Sequence, residues 1–170
     1  MRKVSVSVCP VPPEQLPINE YQELQESWFF SWVKLPWPKY LGKLGAVWLW
    51  SSVIFAPVAA ASFAPQRSPV QFFLSAGAGS TLFLALVLLR LYLGWWYIRS
   101  RLISPTVFYE ESGWYDGQTW VKTPEFVTQD RLILTHQVQP LLYRLQQTCY
   151  GLGVVVAIGG VIWIGISNYY

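Results

Sequence analysis

Charge is what this sequence has least of. Of its 170 residues only 12% are Asp, Glu, Lys or Arg, against ~25% in an average soluble domain. Too few polar side chains are present to clothe a globule of this size in water. There are two cysteines, Cys9 and Cys149, and no Cys-x-x-Cys, which excludes a disulfide scaffold, a zinc ribbon and a c-type haem site. The single histidine, His136, excludes a bis-histidine haem site within one chain. The net charge of +3 comes without a basic cluster, so nucleic acid is not an expected partner. Internal repeats and low-complexity linkers are also missing.

Apolar and aromatic residues take up the space. Aromatics make up 17% of the chain, including ten Trp, and mean hydropathy is +0.31. Residues 44–63 and 72–89 carry no charge, the second run extending past Arg90 to about Trp96, and 148–170 is also uncharged. A helix of about 20 residues rises ~30 Å, the thickness of a bilayer's hydrocarbon core. Burying three such helices in a soluble protein needs polar helices around them, and the rest of the chain is too short to supply those. The reading is a mainly α membrane protein with three spans, at about 44–63, 72–96 and 148–170, in contact with the lipid bilayer.

Eleven of the twelve basic residues and all nine acidic ones fall before the first run or between the second and third; Arg67 alone lies in the turn between the first two. The positive-inside rule assigns the charged side to the cytoplasm or its plastid equivalent, the stroma. The N-terminus and 97–147 are then stromal, and the 64–69 turn and the C-terminus lumenal. The start does not read as a cleaved signal, since its short apolar stretch runs into Pro10, Pro12 and Pro13. Both cysteines belong to the reducing side, where a structural disulfide is not expected.

On the charged side, residues 1–43 read as an extended proline segment followed by an interfacial amphipathic helix. Asn19 would cap that helix from Glu20 toward Trp32, with Gln22 in the capping-box position. Trp28, Trp32 and Trp37 before the first span, and Trp95 and Trp96 after the second, read as membrane-interface anchors at headgroup level. Residues 97–123 carry β-branched and aromatic runs on either side of Asp116-Gly117, a strong hairpin signal. Thr123-Pro124-Glu125 starts a helix over 124–147, kinked near Pro140 and leading into the third span. Small residues recur every four positions at Ser52/Ala56/Ala60, Ser75/Gly79, Ala76/Ser80 and Gly153/Ala157. Such rows let helices approach closely, either within the chain or against a foreign span.

Chemistry is hard to place. Glu110, Glu111, Asp116, Glu125, Asp130 and His136 are the ionisable groups nearest each other in sequence, yet they form no Glu-x-x-His unit, and no metal site is expected. No ionisable residue sits mid-span, as a pump or transporter needs. No catalytic constellation or phosphate-binding loop is present, so the expectation is a non-enzyme. A cofactor is not expected either, although chlorophyll or carotenoid shared with a partner chain stays open.

Several segments together resemble one known family. They are Cys9-Pro10-Val11-Pro12 with Glu14-Gln15, Pro17-x-Asn19-Glu20-Tyr21, Ser27-Trp28-Phe29-Phe30, and Tyr109-Glu110-Glu111-Ser112-Gly113-Trp114-Tyr115-Asp116-Gly117-Gln118-x-Trp120. Asp130-Arg131-Leu132-Ile133 and Gln137-Val138-x-Pro140 complete the set. The chain resembles the membrane protein family "conserved in the green lineage and diatoms", known in red-lineage plastids as a hypothetical chloroplast reading frame. The resemblance implies a thylakoid setting and a link to phototrophic growth or photo-oxidative acclimation, and it brings no known reaction.

The functional expectation is a non-catalytic thylakoid accessory protein that aids photosystem assembly, stability or photo-oxidative protection. Partner contact would rest on Trp114, Tyr115, Trp120 and Arg131, with Glu110 and Glu111 as charge partners, because aromatics and Arg dominate binding energy at interfaces. Trp114 and Trp120 have an equal alternative in covering the hairpin's own face. Two other functional readings stay open. One is a pigment or lipid-quinone carrier or enzyme component; the other is a metal-homeostasis protein using Glu110, Glu111, Asp130 and His136.

Overall fold

A computed structural model describes residues 9–110 and 117–168. The described chain is mainly helical, with α1 Pro17–Glu26, α2 Trp37–Ser62, α3 Pro69–Ile103, β1 Thr106–Tyr109, β2 Gln118–Val121, α4 Pro124–Ile133 and α5 Gln139–Ser167. Three helical rods are long and apolar enough to cross a membrane: α2, α3, and the 44-residue rod from Pro124 to Ser167. Each expected span thus falls within a candidate membrane-crossing helix, but the helices outrun the expected bounds. α3 has 35 residues and rises ~52 Å, while the third rod rises ~66 Å. The surplus beyond a ~30 Å core stands at the charged end as a stalk.

Pro140 does not break the third rod. A π-turn at Leu134–Val138 joins α4 to α5 just ahead of it. Proline has no N–H to return to the preceding turn, and its ring crowds the carbonyl four residues back. Widening that turn removes the crowding and keeps the helix continuous. Pro57 likewise sits inside α2 without ending it.

The expected N-terminal helix is shorter and differently capped. α1 begins at Pro17 after Leu16, and Asn19 lies within its first turn, its side-chain amide donating to the Pro13 carbonyl at 2.6 Å. It ends at Glu26, and a separate 3₁₀ turn at Phe30–Lys34 carries the aromatics onward. Its buried residues, Pro17 and Tyr21, face protein. The Tyr21 ring meets Trp95 edge-on, 6.3 Å between centroids, so this face of α1 packs on α3.

Two cores result. The larger gathers Tyr21, Val33, Tyr40, Leu88, Trp95, Val138 and Leu145 where α1, α2, α3 and α5 converge at the charged end. The smaller holds Val11, Val107 and Tyr109, with Cys9, Leu16 and Trp120 against them. In it the proline segment lies across the inner face of the β1–β2 hairpin, an antiparallel pair in which Val107 opposes Trp120 and Tyr109 opposes Gln118.

Deeper in the apolar region, small residues bring α2 and α3 together. Gly79 faces the Phe55 ring, the Ser52 and Ser80 hydroxyls are 2.9 Å apart, and the Trp48 indole donates to Thr81 Oγ1 at 3.1 Å. Gly153 and Ala157 on α5 remain exposed. The small-residue rows thus serve internal packing at Ser52, Gly79 and Ser80, whereas Ala60 and the row in the third candidate span are exposed.

Gly94 is required by the same close approach higher up, because a methyl group there would fall inside the Phe30 ring, whereas one at Gly42 would meet nothing within 4 Å. Gly94→Ala should lower stability by about 1–3 kcal/mol through overpacking, while Gly42→Ala should be neutral or stabilising by up to ~1 kcal/mol. Thermal unfolding of both variants in detergent checks this. Equal midpoints would show that the Phe30–Gly94 contact does not matter.

Candidate functional site

The polar groups of the charged end form one interlock. β2 presents alternate residues inward, so Lys122 follows Trp120 onto the buried side. A buried ammonium needs a carboxylate and further acceptors. Lys122 Nζ lies 2.6 Å from Asp130 Oδ2 and donates to the Arg101 carbonyl at 3.0 Å, with the two side chains only 2% and 5% exposed. One cation thereby ties the hairpin to α4 and to the last turn of α3.

Arg101 extends the lock to the N-terminal segment. Its guanidinium forks onto Glu20, Nε to Oε2 at 3.0 Å and Nη2 to Oε1 at 2.9 Å, and also donates to the Gln15 carbonyl at 3.0 Å. Gln15 then uses its amide on both backbone groups of Glu110, accepting at 2.9 Å and donating at 3.1 Å. On the other side of α1, the Tyr21 hydroxyl donates to Gln137 Oε1 in the π-turn. Burial raises the Tyr21 pKa above its ordinary value, which keeps the phenol a donor.

A second lock holds α5. Arg144 Nη1 donates to the Val33 and Leu35 carbonyls at 2.7 and 2.6 Å, and the guanidinium carbon lies 4.4 Å from both the Trp37 and Tyr40 ring centroids. Tyr40 in turn donates to Thr148 Oγ1 at 3.2 Å. The α5 helix is thus fastened at its charged end. Further along, its most apolar 18-residue window has no buried residue, and the described contact at the far end is an edge-on pair, Phe63 with Trp163, at 5.5 Å. Between the two fastenings α5 stands off, leaving an apolar groove of about 950 Å³ against α3 and one of about 510 Å³ against α2.

The residues singled out for partner contact do not gather at one place. Trp120 turns inward, its ring 5.4 Å from Phe126 and edge-on to it, so it covers the hairpin's own face. Arg131 is exposed on α4, and Glu110 is exposed beside the hairpin, held through its backbone. Glu111, Trp114, Tyr115 and Asp116 lie outside the described residues. Asp130 is bound to Lys122, and His136 is exposed in the π-turn, its Nδ1 3.1 Å from the Leu132 carbonyl. Among the described residues no three His, Cys, Asp or Glu side chains group as metal ligands.

The anchors divide as well. Trp28, Trp37 and Trp96 are exposed, and Arg99 stacks on Trp96 at 4.6 Å. Trp95 is wholly buried and Trp32 is 7% exposed, so neither can reach lipid; Trp95 holds the core in which α1 seats on α3, and Trp32 is covered by Trp28 and Phe29. Charge and small-residue patterns said nothing of Gln15, Glu20, Arg101, Lys122 and Arg144. Strand alternation did carry a signal for one of them, since an inward Trp120 implies an inward Lys122 and hence a carboxylate nearby.

The family profile "CGLD27-like: Conserved in the green lineage and diatoms 27" matches residues 9–151. The chain belongs to this family. It is 44% identical over 155 residues to the chloroplastic protein "conserved in the green lineage and diatoms 27" of Arabidopsis thaliana, a match covering 91% of this chain and 47% of that protein. The chain thus spans about half the length of that relative. It is also 46% identical to the uncharacterized protein ycf36 of Porphyra purpurea, covering 82% of this chain and 85% of the relative, and 47% identical to that of Cyanophora paradoxa, covering 89% and 94%. No solved structure matches. The resemblance motifs of this CGLD27-like chain include much of the interlock: Gln15, Glu20, Tyr21, Asp130 and Gln137 all make the contacts above.

Lys122→Met should destabilise the fold by about 3–5 kcal/mol, because Asp130 is left buried and uncompensated. Lys122→Met combined with Asp130→Leu should recover most of that loss. A double-mutant cycle on thermal unfolding measures both, and additive losses would show that the pair does not act as a unit.

Proposed function

We propose that this chain is a non-catalytic accessory protein of the thylakoid membrane that aids assembly, stability or photo-oxidative protection of a photosystem or related chlorophyll–protein complex. The N-terminus and 97–147 face the stroma or its cyanobacterial equivalent, and the 64–69 turn and the C-terminus face the lumen. The chloroplastic relative and the one-sided charge support this setting.

The observation that carries the reading is the outer face of the hairpin. Phe108 and Val121 are 65% and 68% exposed and lie diagonally across the ladder, since Phe108 opposes Thr119 and Val121 opposes Thr106. The hairpin follows α3, whose end at Ile103 is seven residues beyond the exposed Trp96, ~10 Å above the level of that aromatic belt. Paired apolar side chains left bare in water suit a protein partner. They replace Trp120, which faces inward. The bare side of α5 offers a client a second contact within the bilayer.

The α3–α5 groove of about 950 Å³ favours a second reading, a carrier or enzyme component for a pigment or lipid-quinone, because its size and apolar walls suit a long hydrophobe. The metal reading draws no comparable support, since Asp130 is already paired.

Tagged protein purified in mild detergent should bring chlorophyll–protein subunits with it. Phe108→Glu with Val121→Glu should reduce their recovery by about tenfold or more without lowering the protein's thermal stability. Wild-type protein eluting alone removes the accessory reading. Near-stoichiometric tetrapyrrole or carotenoid absorption in that lone protein would move the assignment to the second.

A further inference from the structure

The groove between α2 and α5 differs from its neighbour at one end. It runs from Trp37 to Trp48 on α2, eleven residues or ~16 Å, over a floor of Leu84 and Leu88. Along this length it offers no unsatisfied polar group. The Trp48 indole is engaged by Thr81, and the Thr148 hydroxyl accepts from Tyr40 and donates to the Arg144 carbonyl. Such a channel accepts hydrocarbon.

At its charged-end mouth the chemistry reverses. Trp37 and Gln147 line the mouth, and Arg144 lies one turn above Thr148 on the same helix, against the Trp37 ring. The guanidinium has no carboxylate partner among the described residues. It commits Nη1 to two carbonyls, while Nε and Nη2 are buried with no hydrogen-bond partner. A cation held out of water with open donors calls for an anion. Trp37, which lines this mouth and stacks on the guanidinium, is half exposed at 48%.

We infer that this groove is a binding site for an anionic glycerolipid, one acyl chain lying between α2 and α5 and the phosphate-bearing headgroup at Arg144 and Gln147. Charge complementarity selects the head, and the groove selects a molecule that enters from the bilayer. The site belongs to the chain itself and needs no client protein. It also gives α5 a reason to stand off α2 while fastened at its root, since the lipid chain completes the packing.

Full-length protein reconstituted in nanodiscs of equal parts phosphatidylcholine and phosphatidylglycerol, then released into mild detergent for native mass spectrometry, tests this. Wild-type protein should retain phosphatidylglycerol over phosphatidylcholine by about fivefold or more, the preference expected of one juxtamembrane cation. Arg144→Gln should retain the two lipids equally. Because Arg144 also fastens α5, the decisive variants are Gly45→Leu and Gly151→Leu. Both glycines line the groove, and a Cβ added at either meets nothing within 4 Å. Each should retain neither lipid at unchanged thermal stability. Retention of both lipids in bilayer proportion by wild type, or undiminished phosphatidylglycerol on a stable groove-filled variant, would overturn the assignment.

Discussion

Lys122 has exchanged water for the Asp130 carboxylate and the carbonyl that ends α3, and the rest of the charged end is arranged around that exchange. Removing an ammonium from solvent costs several kcal/mol unless the acceptors are fixed in place, so the pair tolerates one placement of hairpin, α4 and α3 relative to one another. With those three set, Arg101 stands where its fork meets Glu20 and the Gln15 carbonyl. Gln15 then closes on the backbone of Glu110. A proline-rich segment whose one regular element is the short 3₁₀ turn Pro13–Gln15 is thereby held against the hairpin's inner face. The hairpin, which in isolation would be marginal, acquires a second layer.

The opposite half of the molecule follows a different rule. Inside the apolar run there are few polar groups to specify packing, and hydrocarbon gives apolar helices no reason to associate. α2 and α3 meet through Gly79 against Phe55 and through hydroxyls that pair across the interface. Among the described residues α5 has no comparable contacts over its apolar length; it is joined at its charged end, through Leu142, Leu145 and Arg144, and at the far end through the Phe63–Trp163 pair. The grooves on either side of it are the outcome. Rigid at the water-facing end and loosely packed in the oily one, the fold separates a locked cap from a span with free surfaces.

Much of this was legible in the residues. The three apolar runs, the one-sided charge, the hairpin and the Thr123-Pro124 helix start depend on local composition and spacing, and each has its counterpart in the structure. The helix ends were not legible, because hydropathy marks where an apolar run meets polar sequence and not where the hydrogen-bond ladder stops. α3 continues to Ile103 through residues polar enough to read as loop. The cap assigned to Asn19 failed because Pro17 can start a helix three residues earlier, and Asn19 found its acceptor at Pro13. Trp95 and Trp96 are adjacent in sequence and identical in kind, yet one is wholly buried and the other faces out; only the packing of α1 against α3 tells them apart.

Composition alone marked out the three candidate membrane-crossing helices, because so few charges and such long apolar runs leave little material for an aqueous surface. Spacing along the chain determined which segments became helix and which became hairpin, since those choices are made within a few residues. Tertiary structure decided which polar groups meet. Lys122 and Asp130 are eight residues apart, but Arg101 lies 81 residues from Glu20 and Arg144 lies 111 from Val33. A pairing across such distances is set by the way whole helices pack, and no local pattern of residue types records it.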